Sequence, residues 1–258
     1  MDNQDLFSVR GKHVLLTGGT RGLGYGLAEG FARAGARLVI TGTSERVFDA
    51  AEALAGETGG DVRGTVARLD EAEHVDAFYR QALEQLDGRL DVLVNSAGIQ
   101  HRCPAERFPM EEWNKILQVN LTAVFRLCQL AAGTMLEQAR GGKIINIASM
   151  TSFFGSEGIP AYTASKGAVM QLTKALSNEW AGRGIQVNAI APGYMETELT
   201  GSMKAYNPGQ YEQVTQRIPM HRWGRPEDLQ GAALFLASRA SDYVSGVTLP
   251  VDGGYLGK

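Results

Sequence analysis

Short apolar runs alternate with longer stretches in which apolar positions recur every three or four residues, from one end of the chain to the other. The short runs read as strands over residues 13–17, 37–41, part of 62–69, 91–95, 143–148, 185–191 and 247–251. The longer stretches read as helices over 25–34 (closed by Gly35), from the Ala-rich segment to about Gly56, then 71–86, 111–138, 161–182 and 226–237, the last with Pro226 in its first turn. The strand runs carry apolar residues at successive positions, so both faces must be covered. That pattern predicts parallel strands with helices on both sides, joined by right-handed crossovers. One α/β domain over residues 1–258 is expected, a doubly wound parallel sheet of about seven strands. The least regular part, 196–222, contains Gly201, Pro208, Gly209 and Pro219 and reads as a lid-like substrate segment.

Composition narrows the function. Hydrophobic content of 44% with 21% charged residues is that of a soluble globular protein. A net charge of −3 offers no surface for nucleic acid or an anionic membrane. The 32 glycines fall mostly where strands should turn into helices, which suits tight βα connections. Cys103 and Cys128 are too few and too isolated for a disulfide framework or a metal site, so a reducing, cytoplasmic setting is expected. The first residues lack a basic and apolar leader pattern, and no run of about 18 apolar residues predicts a membrane span.

Candidate chemistry gathers where predicted strands end. The 143–148 strand runs into Ser149, and the helix after it carries Tyr162 and Lys166. Residues four apart share a helix face, so phenol and ammonium should point the same way, with the cation lowering the phenol's pKa. A hydroxyl donor, an acid and a cation together are what carbonyl reduction or alcohol oxidation requires. After the first strand comes Thr17-Gly18-Gly19-Thr20-Arg21-Gly22-Leu23-Gly24. Missing Cβ atoms and a helix N-terminus together admit a pyrophosphate, so Gly18, Thr20, Arg21, Gly22, Leu23 and Gly24 are candidate dinucleotide contacts. The literal G-x-G-x-x-G spacing of Rossmann proteins is absent, because Leu27 stands where the third glycine would be. Asn95, Ala97 and Gly98 end the fourth strand, where ligands of open α/β sheets sit. Asp70 is placed either to bond an adenine amine or to cap the next helix. Asn120 is a poor interior helix residue with apolar neighbours, hence either a structural amide or the holder of a water. Pro192, Gly193 and Thr197 follow the sixth strand, where they would close over a nicotinamide carboxamide.

The order and spacing of these motifs resemble the short-chain dehydrogenase/reductase family over the whole chain, from Gly11-Lys12 to Val251-Asp252-Gly253-Gly254. The resemblance implies a single Rossmann-like domain with a seven-stranded parallel sheet, a nicotinamide cofactor and usually a homotetramer. It also implies catalytic roles for Asn120 (a relay water), Ser149 (the substrate oxygen), Tyr162 (acid/base) and Lys166 (ribose and Tyr162). Within the family, the stretches 5–8, 97–102, 147–150, 189–194 and 222–224 resemble sugar-acid dehydrogenases of gluconate and deoxygluconate type. A non-catalytic dinucleotide binder on the same fold, and a reductase of 3-oxoacyl or steroid substrates, are the competing readings.

Three finer expectations follow. Gly42 stands at the second strand's tip, where an acid would hold the ribose of NAD(H), and Arg21, Thr43 and Ser44 suit a 2′-phosphate, so NADP(H) is favoured with NAD(H) possible, Glu45 arguing the other way. Arg102, beside Gln100 and His101, suits a sugar carboxylate, with Tyr194 or Tyr206 added by the lid. Leu121, Val124, Phe125 and Leu127 on one long helix, and Val169, Met170, Leu172 and Leu176 on another, suggest buried subunit contacts.

Overall fold

The computed structural model describes residues 6–197 and 207–258. Seven parallel strands form one sheet in the order β3-β2-β1-β4-β5-β6-β7. They are β1 His13–Thr17, β2 Arg37–Gly42, β3 Val62–Val66, β4 Val92–Asn95, β5 Gly142–Ile147, β6 Ile185–Pro192 and β7 Thr248–Val251. The helices are α1 Gly22–Arg33, α2 Arg46–Thr58, α3 Ala72–Gln85, α4 Met110–Leu117, α5 Ala123–Glu137, α6 Pro160–Trp180, α7 Pro208–Arg217 and α8 Gln230–Ala237. Two cores explain the doubly apolar strands. One face packs Leu15, Val39, Leu93 and Ile144 under α3, α5 and α6; the other packs Leu16, Ile40, Val94 and Ile145 under α1, α2 and α8.

Strand order reverses at β1, which pairs with β2 on one side and β4 on the other. The crevice at such a reversal, beyond the strands' carboxyl ends, receives ligands. Thr17 ends β1 opposite Asn95, and its Oγ1 accepts from the Ser96 and Ala97 N–H groups, each at 3.1 Å. The two loops bounding the crevice are thereby tied together.

Four expectations change. The long helix is interrupted: a π-helical turn, Gln118–Thr122, separates α4 from α5 and contains Asn120. Met110–Glu137 as a whole is long and apolar enough to span a membrane by composition, but half of it is buried against the sheet, as a core helix would be. Asp70 caps nothing: Glu71 occupies the N-cap of α3 without a side-chain bond, and Asp70 is exposed. Four of the eight residues expected at subunit contacts, Val124, Leu127, Val169 and Leu176, fill this chain's own core. Part of the 196–222 segment is regular, forming α7, while Tyr206 lies outside the described residues.

Candidate active site

The glycine loop is shaped by close approaches that only missing Cβ atoms allow. Gly18 has φ +73°, and a Cβ there would stand 2.8 Å from Ala97 Cα. A Cβ on Gly24 would overlap the Gly18 carbonyl oxygen. Gly18 N–H donates to Thr41 Oγ1 at 3.3 Å and Gly19 N–H to the Thr41 carbonyl at 2.9 Å, pinning the loop to the end of β2. Arg21 is exposed at the N-cap of α1 and forms no ion pair among the described residues. A Cβ on Gly42 would overlap Thr20 Cγ2, so an acid there would require the Thr20 side chain to move. Thr43, Ser44 and Glu45 are exposed beside it. The close helix packing that a third loop glycine supplies elsewhere comes from Gly26, whose missing Cβ makes room for Pro226. Its spacing hides it from a motif search.

Thr197 reaches this loop from the far side, its Cγ2 lying 3.9 Å from where a Gly22 Cβ would be. Pro192 ends β6, and Gly193 N–H donates to the Val251 carbonyl at 3.0 Å. A Cβ on Gly193 would stand 2.6 Å from Asp252 Cα. The Pro-Gly turn is thus held by β7.

The Asn95 side chain is buried at the end of β4. Its Nδ2 donates to Asn146 Oδ1 at 2.9 Å, and Asn146 Nδ2 donates to Thr173 Oγ1 at 3.0 Å. The amide belongs to a buried network between β4, β5 and α6, since a polar side chain on a doubly covered strand must find partners inside. The crevice wall falls to Ala97 and Gly98. A Cβ on Gly98 would be 3.5 Å from Asn120 Oδ1 and 3.6 Å from Lys166 Nζ.

Asn120 is wholly buried. Its Oδ1 accepts from Ile99 N–H at 2.9 Å, and its Nδ2 donates to the Ile99 carbonyl at 2.9 Å and to Ser165 Oγ at 3.2 Å. Ser165 Oγ donates onward to the Tyr162 carbonyl at 2.8 Å. One amide therefore joins the post-β4 loop to the helix bearing Tyr162. The π turn that aims it there has no sequence signature beyond a misplaced Asn.

Ser149 ends β5 and caps the following turn, its Oγ accepting from Thr151 N–H at 3.1 Å. The same hydroxyl lies close enough to the Tyr162 phenol to pull its pKa down. Pro160 opens α6 and sets the turn that presents Tyr162. Lys166 Nζ donates to the Ile147 carbonyl at 2.7 Å and stands 5.7 Å from the centre of the Tyr162 ring. Burial pushes the Lys166 ammonium down to about 8. The expected lowering of Tyr162 is absent: burial holds its phenol above the ordinary value, and the Ser149 hydroxyl offsets that only in part. Desolvation outweighs a cation that is spent on a backbone carbonyl.

Arg102 lies at the mouth, exposed, with Nη1 donating to the Glu157 carbonyl at 3.3 Å. His101 instead meets the Phe108 ring edge-on at 5.5 Å and lies 3.9 Å from Glu112. Tyr194 packs against Trp223 at 5.2 Å and Tyr255 at 5.4 Å between ring centres.

Residues 18–256 match the family profile described as Enoyl-(Acyl carrier protein) reductase. The chain belongs to the short-chain dehydrogenase/reductase family. Among its relatives, 2-dehydro-3-deoxy-D-gluconate 5-dehydrogenase of Bacillus subtilis (strain 168) is 47% identical over 255 residues, covering 98% of each chain. Gluconate 5-dehydrogenase of Gluconobacter oxydans (strain 621H) is 41% identical over 256 residues, again 98% of each. The crystal structure of a gluconate 5-dehydrogenase from Burkholderia cenocepacia J2315, in complex with NADP and tartrate, superposes with a TM-score of 0.92 at 41% identity, covering 98% of each chain. Gly18, Gly22 and Gly24 lie in the loop that follows β1, and Lys166 Nζ stands 3.6 Å from where a Cβ of Gly98, just past β4, would be.

Proposed function

We propose that this chain is an NADP(H)-dependent oxidoreductase acting on a secondary alcohol or ketone of a sugar acid, of gluconate or deoxy-keto-gluconate type. The observation that carries the reading is the convergence of Ser149, Tyr162 and Lys166 beside a glycine loop with room for a pyrophosphate. The glycine cradle fits the cofactor: backbone stands bare at Gly18 and Gly24, and α1 points its N-terminus into the crevice. When bound, the nicotinamide supplies or accepts the hydride. Tyr162 holds or takes the proton on the substrate oxygen, and Ser149 donates to that oxygen. Lys166 supplies a cation beside the phenol and the ribose, and Asn120 positions the helix that bears Tyr162. A non-catalytic binder has no use for all four together. Residues 196–222 act as the lid, α7 carrying Tyr211, which bonds Glu196 at 3.0 Å.

NADP(H) over NAD(H) rests on two features of the cofactor end of the sheet. Residue 42 is a glycine rather than an acid, and Arg21 has no ion pair among the described residues while Thr43 and Ser44 are exposed at the tip of β2. The NADP in the Burkholderia structure agrees. Purified protein assayed with hydroxy and keto sugar acids and both cofactors tests the whole reading. Turnover with gluconate-type acids and NADP(H) is expected, with Arg21→Ala lowering the preference for NADP(H) about ten-fold through loss of one charge-assisted contact. A clear preference for NAD(H) refutes the Arg21 argument, and turnover of 3-oxoacyl substrates alone refutes the sugar-acid reading.

We further propose a homotetramer working in the cytoplasm. Supporting assembly, Phe125 is 42% exposed on α5, with Leu121, Met170 and Leu172 only half-buried. Both cysteines are free, as a reducing compartment favours. Sedimentation at micromolar concentration is expected to give a tetramer; a monomer alone counts decisively against it.

A further inference from the structure

The last residues of the chain pack against the segments that follow β5 and β6. Asp252 fixes them: its carboxylate accepts from Gly254 N–H at 2.9 Å and Leu256 N–H at 2.8 Å. Met220, just past α7, donates its N–H to the Gly253 carbonyl at 3.1 Å, so the tail and the end of α7 move as one piece. Tyr255 is thereby set between three elements. Its ring meets Phe154 of the post-β5 loop at 5.9 Å and Tyr194 of the post-β6 segment at 5.4 Å. The guanidinium of Arg217, the last residue of α7, stands over its face, 5.0 Å from the ring centre.

Arg217 is exposed and has no carboxylate within ion-pair distance among the described residues. Its neighbours on this side of the molecule are paired: Arg222 bonds Asp228, and Arg225 stands 3.9 Å from Glu196. Arg102, on the post-β4 loop, likewise has no carboxylate partner among the described residues, where it bonds the Glu157 carbonyl. Its side chain runs over Gly158, 3.4 Å from where a Cβ would be, just before the helix that carries Tyr162. Both guanidiniums act on the Tyr194 phenol. Burial and the neighbouring Tyr255 phenol push that phenol up, and the two cations pull against them. Two guanidiniums without a carboxylate partner among the described residues therefore face one Tyr194–Tyr255 pair. Each fork is free to take a carboxylate bidentately, and the cation–π contact holds Arg217 in place at low entropic cost.

We propose that Arg217, Tyr255 and Tyr194 form, with Arg102, a carboxylate subsite that holds the acid end of the substrate while the reacting carbon lies at Tyr162. Arg217 is the principal specificity residue the lid helix contributes, and the tail positions it through Tyr255. This inference rests on the sugar-acid reading above.

The test compares wild type with Arg217→Gln, Arg217→Lys and Tyr255→Leu. KM and kcat are measured for a keto-gluconate and for a neutral ketohexose, with the NADPH dissociation constant followed by fluorescence and folding by thermal melting. Arg217→Gln is expected to raise KM for the acid about ten-fold, the value of one charge-assisted contact, with kcat, the neutral KM and NADPH affinity nearly unchanged. Arg217→Lys should recover part of the loss, since it restores charge without the fork. Tyr255→Leu should reproduce the Arg217→Gln pattern more weakly. Wild type favouring the acid while Arg217→Gln leaves its KM unchanged overturns the subsite and spares the sugar-acid reading. An equal rise in KM for acid and neutral substrate also overturns it, because packing rather than charge is then at work. Wild type with no preference for the acid overturns both.

Discussion

Tyr162→Phe is expected to fold, to bind NADP(H) like the wild type and to lose turnover by about 10²–10⁴-fold, the usual contribution of a positioned acid–base group. The exchange removes one oxygen from a half-buried ring, and what it leaves behind is Ser149, whose hydroxyl still accepts from Thr151 N–H at 3.1 Å. Little stability should be lost. The pH profile adds a second reading. Burial holds the phenol above its ordinary value, so alcohol oxidation, which needs the phenolate, should quicken as pH rises toward that raised value. In Tyr162→Phe the residual rate should lose that dependence. Near-wild-type turnover, or an unchanged profile, would mean that the proton is handled elsewhere.

Gly24→Ala should be almost as damaging by an unrelated route. The new methyl group overlaps the carbonyl oxygen of Gly18, which is backbone and is itself pinned: its N–H is bonded to Thr41 Oγ1 at 3.3 Å and its Cα side abuts Ala97. The loop must open. Overpacking of this kind costs about 1–3 kcal/mol, which in a chain of this size lowers the melting temperature by roughly 2–10 °C. The larger effect is on the cofactor. Two misdirected charge-assisted bonds to a pyrophosphate, at about 1.5–3 kcal/mol each, weaken NADP(H) binding about a hundred-fold or more. Calorimetric titration with NADPH and a thermal melt measure both. An unchanged dissociation constant would show that the pyrophosphate does not lie against this loop.

These two variants separate what is local from what is not. The element order, the parallel sheet and the glycine loop were legible because each is written in short-range terms: apolar runs too short for helices, and glycines between a strand and a helix. Tyr162 and Lys166 were legible because a helical spacing of four dictates one face. The partners of the Asn95 side chain were not legible, for a physical reason. A strand residue's position says that it is near the crevice, but which neighbours claim its amide depends on Asn146 and Thr173, brought from β5 and α6. The Tyr–Lys coupling failed likewise, since shared facing fixes direction, while the balance between a cation and desolvation depends on depth of burial and on the Ile147 carbonyl that takes Lys166. The membrane-length stretch Met110–Glu137 shows the same limit, because only packing against the sheet marks it as core.

The chain's own order of residues determined the fold class, the glycine loop after β1 and the shared facing of Tyr162 and Lys166, all of which depend on periodicity and on residues close in sequence. Tertiary structure alone decided the rest. It placed Asn120 on the Ile99 backbone through a π turn, and it packed Gly42 against the Thr20 side chain. It also carried Tyr255, from the last residues of the chain, against Tyr194 after β6. Such contacts join residues distant in sequence, and their geometry exists only once seven strands and their helices have closed around them.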